Sequence, residues 1–439
     1  MSEDRHSTVR FVLPVMLENV SISGLALIFS AISGTISASS LTTIAQGNQI
    51  VNMLNSAASM FITGAAILCS RLLGAGERRE ASHELGQTLF LSAVYTLVVT
   101  LIGFIFAGGI MRLFMPGTQG EVLEEGIVFF RMLILTFPFL VFHNVITSAI
   151  RAGGNSRDAM YISALTNILL VVFGYLFIIR LKMGALGAGL AYIACRVLGC
   201  IFAFFMLIIR HTYSMTLKDL FTPDIAAFKR ILHLGVPTTI ESFFVQVGYT
   251  VANSMVIGLG TFEAAVFTVA NTLYNFAAIV QSISSPVAMT LVGNRIGAKN
   301  YKGARKLGIR IFAVGMTCSC AVAGLIWIFG TRLTPIYSSD PGVQARAASA
   351  LSAVFFMCIP AITLNSLDPQ LRVGGDVRFV MVSTLIAVWL VRLPLTYLFC
   401  YKLDWGAFGV FWANTIALTC RAIPNSIRYI TGKYLYMRV

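Results

Sequence analysis

Residues 144–157 read NVITSAIRAGGNSR, and residues 365–378 read NSLDPQLRVGGDVR. Asn, Arg, a Gly-Gly pair and a second Arg recur in the same order at an offset of 221 residues, half of a 439-residue chain. The correspondence continues outward on both sides. Arg71-x2-Gly74-Ala75-x5-Ala81 recurs as Arg295-x-Gly297-Ala298-x5-Ala304, and Gly184-Ala185-x-Gly187 recurs as Gly406-Ala407-x-Gly409. At the front of each half, Pro14-x3-Glu18 recurs as Pro237-x3-Glu241. Four blocks in one order at near-constant spacing are not produced by coincident small residues. The chain is an internal duplication.

Composition says what is duplicated. The chain is 57% hydrophobic and 11% charged, whereas a soluble domain carries roughly 25% charged residues. Apolar runs of about the ~20 residues a helix needs to cross hydrocarbon follow one another along the sequence. They lack the short alternating pattern of barrel strands. Residues 1–10 are polar, and the apolar segment after them is too long and too polar to be read as a cleaved signal. The eight cysteines lie in or beside apolar runs without metal-ligand spacing and read as packing residues.

Polar punctuation marks twelve spans: 11–36, 41–69, 85–110, 121–145, 159–180, 186–209, 233–258, 264–293, 308–330, 344–366, 379–401 and 407–428. Of the 32 Lys and Arg residues, 23 fall on the termini and on connectors after even-numbered spans, Arg151, Arg372 and Arg421 among them. Six fall on the opposite connectors, and Arg131, Arg196 and Arg392 lie inside spans. This bias predicts a multi-pass protein of the plasma (inner) membrane with both termini cytoplasmic. It also accounts for the net charge of +14 without nucleic acid. Six spans per half make the repeat parallel. The expected fold is therefore an all-α membrane protein of twelve transmembrane helices, in two six-helix lobes related by a pseudo-two-fold along the membrane normal. Residues 1–209 form the N-lobe, 210–232 a basic cytoplasmic linker and 233–439 the C-lobe. Lobes so related are expected to enclose a cleft and to rock about it.

These motifs together resemble the multidrug and toxic compound extrusion (MATE) family. The resemblance rests on the early proline of helices one and seven, the Arg-x1–2-Gly-Ala connector, the Arg-x-Gly-Gly-Asn/Asp-x-Arg turn and Trp389-x2-Arg392. It spans essentially the whole chain. It implies an antiporter driven by H⁺ or Na⁺ that exports organic, often cationic and amphipathic compounds. The chain also departs from the family pattern. Two N-lobe positions where many members carry aspartate read Phe29 and Gly174, and a mid-helix aspartate in helix ten is missing, Asp368 lying nearer the cytoplasmic end. Coupling would then fall on Glu241, with Glu18 as a second site.

The residues themselves support this assignment. A carboxylate within hydrocarbon costs several kcal/mol unless it is paired, hydrated or protonated. A chain that places one at the same position of both halves uses them. Glu241, about two turns into helix seven, could exchange a proton or help ligate Na⁺; the alternative for either glutamate is a structural hydrogen bond. Asn144 and Asn365 are candidates for interhelical bonds or for lining a cavity. Gln246, Tyr249, Asn253, Asn271, Tyr274 and Asn275 repeat along helices seven and eight and are candidate wall residues. Phe29 is a candidate aromatic contact for substrate. Arg392 should meet an acid or a carbonyl, and His143 is either titratable or a packing residue.

No Walker, His-Glu-x-x-His or Gly-x-Ser-x-Gly motif is present, so no enzyme, ATP drive or cofactor is expected. The expected partners are a small organic substrate and membrane lipid, with the chain acting as a monomer. A flippase for lipid-linked saccharides is the second reading. It would call for several basic residues lining the cavity.

Overall fold

The computed structural model describes residues 2–34, 38–115, 120–210, 212–216, 219–220 and 222–436. Lys218 and Arg438, two of the 23 cations assigned above to the cytoplasmic side, lie outside them. Twelve long helices are present among the described residues. They are α1 (Ser2–Ser33), α2 (Ala38–Ala75), α3 (Arg78–Ile105), α4 (Val122–Ala152), α5 (Ser156–Arg180) and α6 (Gly184–Ile209). The second set is α7 (Ile225–Ile257), α8 (Thr261–Gly297), α9 (Tyr301–Ile328), α10 (Pro341–Val373), α11 (Val377–Lys402) and α12 (Ala407–Thr431).

Ten of these, all but α7 and α12, are long and apolar enough to cross a membrane. The chain is a multi-pass membrane protein. Helices α7 and α12 are less apolar because they carry Glu241, Gln246 and Asn253, and Asn414, Arg421 and Asn425. Glu241, Asn414, Arg421 and Asn425 are hidden by neighbouring helices, whereas Gln246 and Asn253 are exposed.

The chain forms two compact units, Met1–Thr239 and Ile240–Val439. In the first, α1 packs along α5, α5 along α6, and α2 against α3 and α4. In the second, α10 is central and touches α8, α9 and α12, while α11 lies against α12. The start of α7 belongs to the first unit: Thr239 Oγ1 donates to the Ala57 carbonyl at 3.1 Å, and Gly235 lies against Met60.

The duplicated Gly-Gly turns have the same geometry in both units. Gly154 takes φ +87° and Gly375 φ +102°, a left-handed conformation that side chains resist. Each donates its N–H to the carbonyl of the turn's arginine, Arg151 or Arg372, at 2.9 Å. The preceding glycine has an ordinary φ but no spare room. A Cβ on Gly153 would meet Thr212 at 2.8 Å, and one on Gly374 would meet the Tyr434 carbonyl oxygen at 2.5 Å. One glycine turns the chain and the other admits a neighbour.

The described part of the linker docks on the start of α3. Asp219 accepts from Arg79 at 2.6 and 2.9 Å and lies 3.3 Å from His83. Gln87 donates to the carbonyls of Asp219 and Thr222 at 2.7 and 2.9 Å. Arg230 pairs with Glu84. Burial raises the Asp219 carboxyl, but the bonds from Arg79, Thr216 and His83 outweigh it and hold it well below the usual carboxylate range.

Candidate functional site

Helix α1 carries Glu18 one turn after Pro14, and its side chain is 5% exposed. Arg151, from the last turn of α4, donates Nη2–H to Glu18 Oε1 at 2.7 Å. Ser163, two turns into α5, donates its hydroxyl to the same oxygen at 2.7 Å. The second unit repeats this triad. Arg372, from the last turn of α10, donates to Glu241 Oε2 at 2.8 Å, and Thr384 of α11 donates to Oε1 at 2.8 Å. The glutamate and the arginine recur at the duplication offset, and Thr384 supplies the hydroxyl that Ser163 supplies in the first unit. The arginine is the one leading into each Gly-Gly turn, so the turn that reverses the chain also aims the charge.

The second unit adds a further pair. Arg421 of α12 donates to Glu241 Oε1 at 3.1 Å and also to Asp368 Oδ2. Asn425 donates to Asp368 Oδ1 at 2.7 Å. Two carboxylates thus face two guanidiniums, a balanced cluster of the kind that buried charges require. At the offset of the repeat, the first unit has Thr147 in place of Asp368 and Gly199 in place of Arg421. The extra pair is present in one unit and absent from the other as a unit, never as a lone charge.

Several expectations need correcting. Arg151, Arg372 and Arg421 are not solvated connector charges; their side chains are only 18%, 20% and 12% exposed, and each holds a buried acid. Asp368 belongs to the Glu241 cluster in spite of its place near the helix end, because α10 and α12 pack closely there. Arg392 has no acid or carbonyl partner among the described residues. Its guanidinium sits 3.9 Å from the centre of the Tyr249 ring, so an aromatic face takes the place of a counter-charge. A π-helical segment, Ile386–Arg392, shifts the side chains that follow Thr384 and brings this arginine to Tyr249.

Phe29 is buried packing. Its ring meets Tyr192 edge-on at 5.2 Å, and a Cβ on Gly174 would lie 2.8 Å from it. The two positions that depart from the family pattern therefore touch each other, and the bulk of one fills the space left by the other.

Each unit holds a partly open cavity beside its glutamate. In the first unit it measures about 370 Å³ and is lined by Glu18, His143, Asn144, Arg151, Tyr192 and Arg196 among others. Asn144 donates to Asn55 Oδ1 at 3.4 Å. His143 has an unpartnered, buried Nδ1 and lines the cavity wall. The cavity of the second unit measures about 290 Å³ and is lined by Glu241, Tyr249, Tyr274, Asn365, Asp368 and Arg421 among others. Asn365 bonds back to its own helix, at the Ala361 carbonyl, 2.9 Å away. Gln246, Asn253, Asn271 and Asn275 do not line it; Gln246, Asn253 and Asn275 lie on the surface.

Comparison with known proteins places this duplicated arrangement. A probable multidrug resistance protein NorM of Bacillus cereus is 26% identical over 424 residues, covering 93% of this chain and 91% of that protein. One from Thermotoga maritima is 24% identical over 444 residues, covering 98% and 93%. The chain is similar in fold to the outward-facing structure of a multidrug resistance MATE family transporter of the MOP superfamily. The TM-score is 0.89 at 21% identity, over 97% of this chain and 96% of that one. The MatE family model matches twice, at residues 14–176 and 237–398, so each match begins at the proline before a buried glutamate. The chain belongs to the MatE family of transporters.

Proposed function

We propose that this protein is a multidrug efflux antiporter of the plasma (inner) membrane, in which entry of H⁺ or Na⁺ drives export of amphipathic organic compounds, cations among them. The observation that carries the reading is the duplicated triad. A glutamate held by arginine and a hydroxyl is a two-state element: a cation that takes the carboxylate releases the arginine, and loss of that cation lets the pair re-form. Glu241 is the principal coupling residue, because its carboxylate and Asp368 share Arg421 and can redistribute charge inside one cluster. Glu18 is the second site. Alternating access by two lobes converts that local exchange into transport, with both termini cytoplasmic and the chain acting as a monomer.

The charges of the two cavities speak against a carrier of lipid-linked saccharides, which would call for several unmatched basic residues: the first cavity has one, Arg196. The arginines near Glu241 are neutralised by acids, which leaves little positive charge for a pyrophosphate in that cavity. Flux of a fluorescent cationic dye in proteoliposomes, under H⁺ and Na⁺ gradients imposed separately, tests the function. Export driven by neither gradient refutes it. Cysteine labelling at Glu77 and Lys402, both exposed, tests orientation: Lys402→Cys should react from outside and Glu77→Cys only after permeabilisation.

A further inference from the structure

The cavities of the two units differ in charge. In the second unit the lining residues Arg372 and Arg421 face Glu241 and Asp368. In the first, Arg151 is matched by Glu18, but the lining also includes Arg196, for which no carboxylate partner exists among the described residues. Arg196 lies mid-way along α6. Among the described residues its guanidinium makes one hydrogen bond, from Nη1 to Thr136 Oγ1 at 2.6 Å, and sits 4.9 Å from the centre of the Tyr192 ring. A guanidinium has five N–H donors. Its counterpart at the repeat offset is Leu418, which lines the second cavity. An unmatched arginine therefore lines the cavity of the first unit alone; Arg392 of the second unit, which also has no acid partner among the described residues, stands on the Tyr249 ring and is not part of the cavity lining.

Other groups around the same cavity are also unsatisfied. Glu18 Oε2, His143 Nδ1, Thr147 Oγ1 and Arg151 Nε are buried without a hydrogen-bond partner. A buried polar atom left without a partner is destabilising, and an uncompensated charge at membrane depth is more so. A ligand that brings a negative group and hydrogen-bonding atoms would relieve both. Arg151 and Ser163 both bond Glu18 Oε1, so its Oε2 stays free and would take a hydrogen-bond donor of the ligand. The volume, about 370 Å³, lies within the range of small-molecule sites.

We infer that the cavity of the first unit binds the carboxylate of a small aromatic acid, with Arg196 as the anion anchor and Tyr192 as a ring face beside it. The inference names a substrate class for the export activity proposed above and rests on that reading for its biological role. Arg196 supplies the charge-assisted, bidentate geometry that suits a carboxylate, and the polar atoms of Asn144 and His143 complete the wall.

Equilibrium binding to the purified, detergent-solubilised full chain tests this with three probes of one size: 2-naphthoate, neutral 2-naphthamide, and a naphthyl trimethylammonium cation. The wild type should bind naphthoate at least 10-fold more tightly than naphthamide. Arg196→Gln should weaken naphthoate at least 10-fold without weakening the cation, and Arg196→Lys should restore part of the loss. Equal affinity of wild type for naphthoate and naphthamide overturns the inference, and this arm needs no variant to fold. Unchanged naphthoate affinity in a folded Arg196→Gln protein overturns it too. Because binding is read without a gradient, its failure leaves cation-driven export standing. Absence of gradient-driven flux alongside intact naphthoate binding would instead sink the export reading alone.

Discussion

Glu241→Gln separates the two roles the buried cluster could have, electrical and structural. Glutamine keeps the length of the side chain, can still accept from Thr384 and fills the same space. It loses the charge that Arg372 meets at 2.8 Å and Arg421 at 3.1 Å. Two guanidiniums then share a single carboxylate, Asp368. Hydrogen bonds to charged groups contribute roughly 1.5–3 kcal/mol, and removing one partner of a buried pair costs roughly 3–5 kcal/mol. Because the amide oxygen retains part of the bonding, a loss of about 2–3 kcal/mol is expected. For a unit of this size that corresponds to a fall of roughly 5–10 °C in melting temperature. Glu241→Gln/Arg372→Gln removes one whole pair and leaves Arg421 with Asp368, so most of the lost stability should return. Transport should not return, since no carboxylate remains at position 241 to exchange a cation. Melting in micelles and gradient-driven flux in proteoliposomes, measured on all four proteins of the cycle, read the two effects independently. Wild-type flux in Glu241→Gln would refute the coupling role. A double variant no more stable than the single one would refute the ion-pair account of the cluster.

Three further outcomes follow from the packing. Gly375→Val, at φ +102°, should lower the folded yield and destabilise by about 1–3 kcal/mol without shifting substrate preference; normal expression with an altered substrate range would place the turn in the binding path. Gly174→Ala should overpack against the Phe29 ring, 2.8 Å from the new Cβ, at a cost of roughly 1–3 kcal/mol, and Phe29→Leu in the same chain should recover stability; additive losses would show that the two do not share one space. Asp219→Asn should loosen the linker from α3 and speed limited proteolysis within residues 210–224. Because the Asp219 carboxyl is held below its ordinary range, docking in the wild type should be complete above about pH 4 and fade only as the pH falls through the lowered value; linker cleavage that is flat with pH in that acid range would contradict this.

Helix content, the duplication and the position of the buried glutamates were all legible from residue types and spacing. Long apolar runs leave the backbone no alternative to helix within hydrocarbon. A Gly-Gly pair before a polar residue marks a turn that only a residue free of Cβ strain can make, and Gly154 and Gly375 both have positive φ. Pro14-x3-Glu18 and Pro237-x3-Glu241 pointed to the acids because a charge in an apolar run is conspicuous in one dimension.

The partners of those acids were not legible, and the reason is geometric. Arg151 and Arg372 stand in the last turn of their helices, where a cation reads as a topology signal, and Arg421 lies mid-way along α12 although the charge pattern counted it with the connectors. Only packing decides that their long side chains turn inward, and the acids they reach are 133, 131 and 180 residues away. The same holds for Asp368, whose depth along α10 says nothing about its nearness to α12, and for Phe29 and Gly174, whose departures from the family pattern are separate in sequence and complementary in space. Periodicity and cost determine where a chain puts its helices and its buried charges. Which charge meets which is decided by how the helices pack, because a salt bridge a few ångströms long depends on the relative rotation and depth of two helices, and no local residue pattern encodes either.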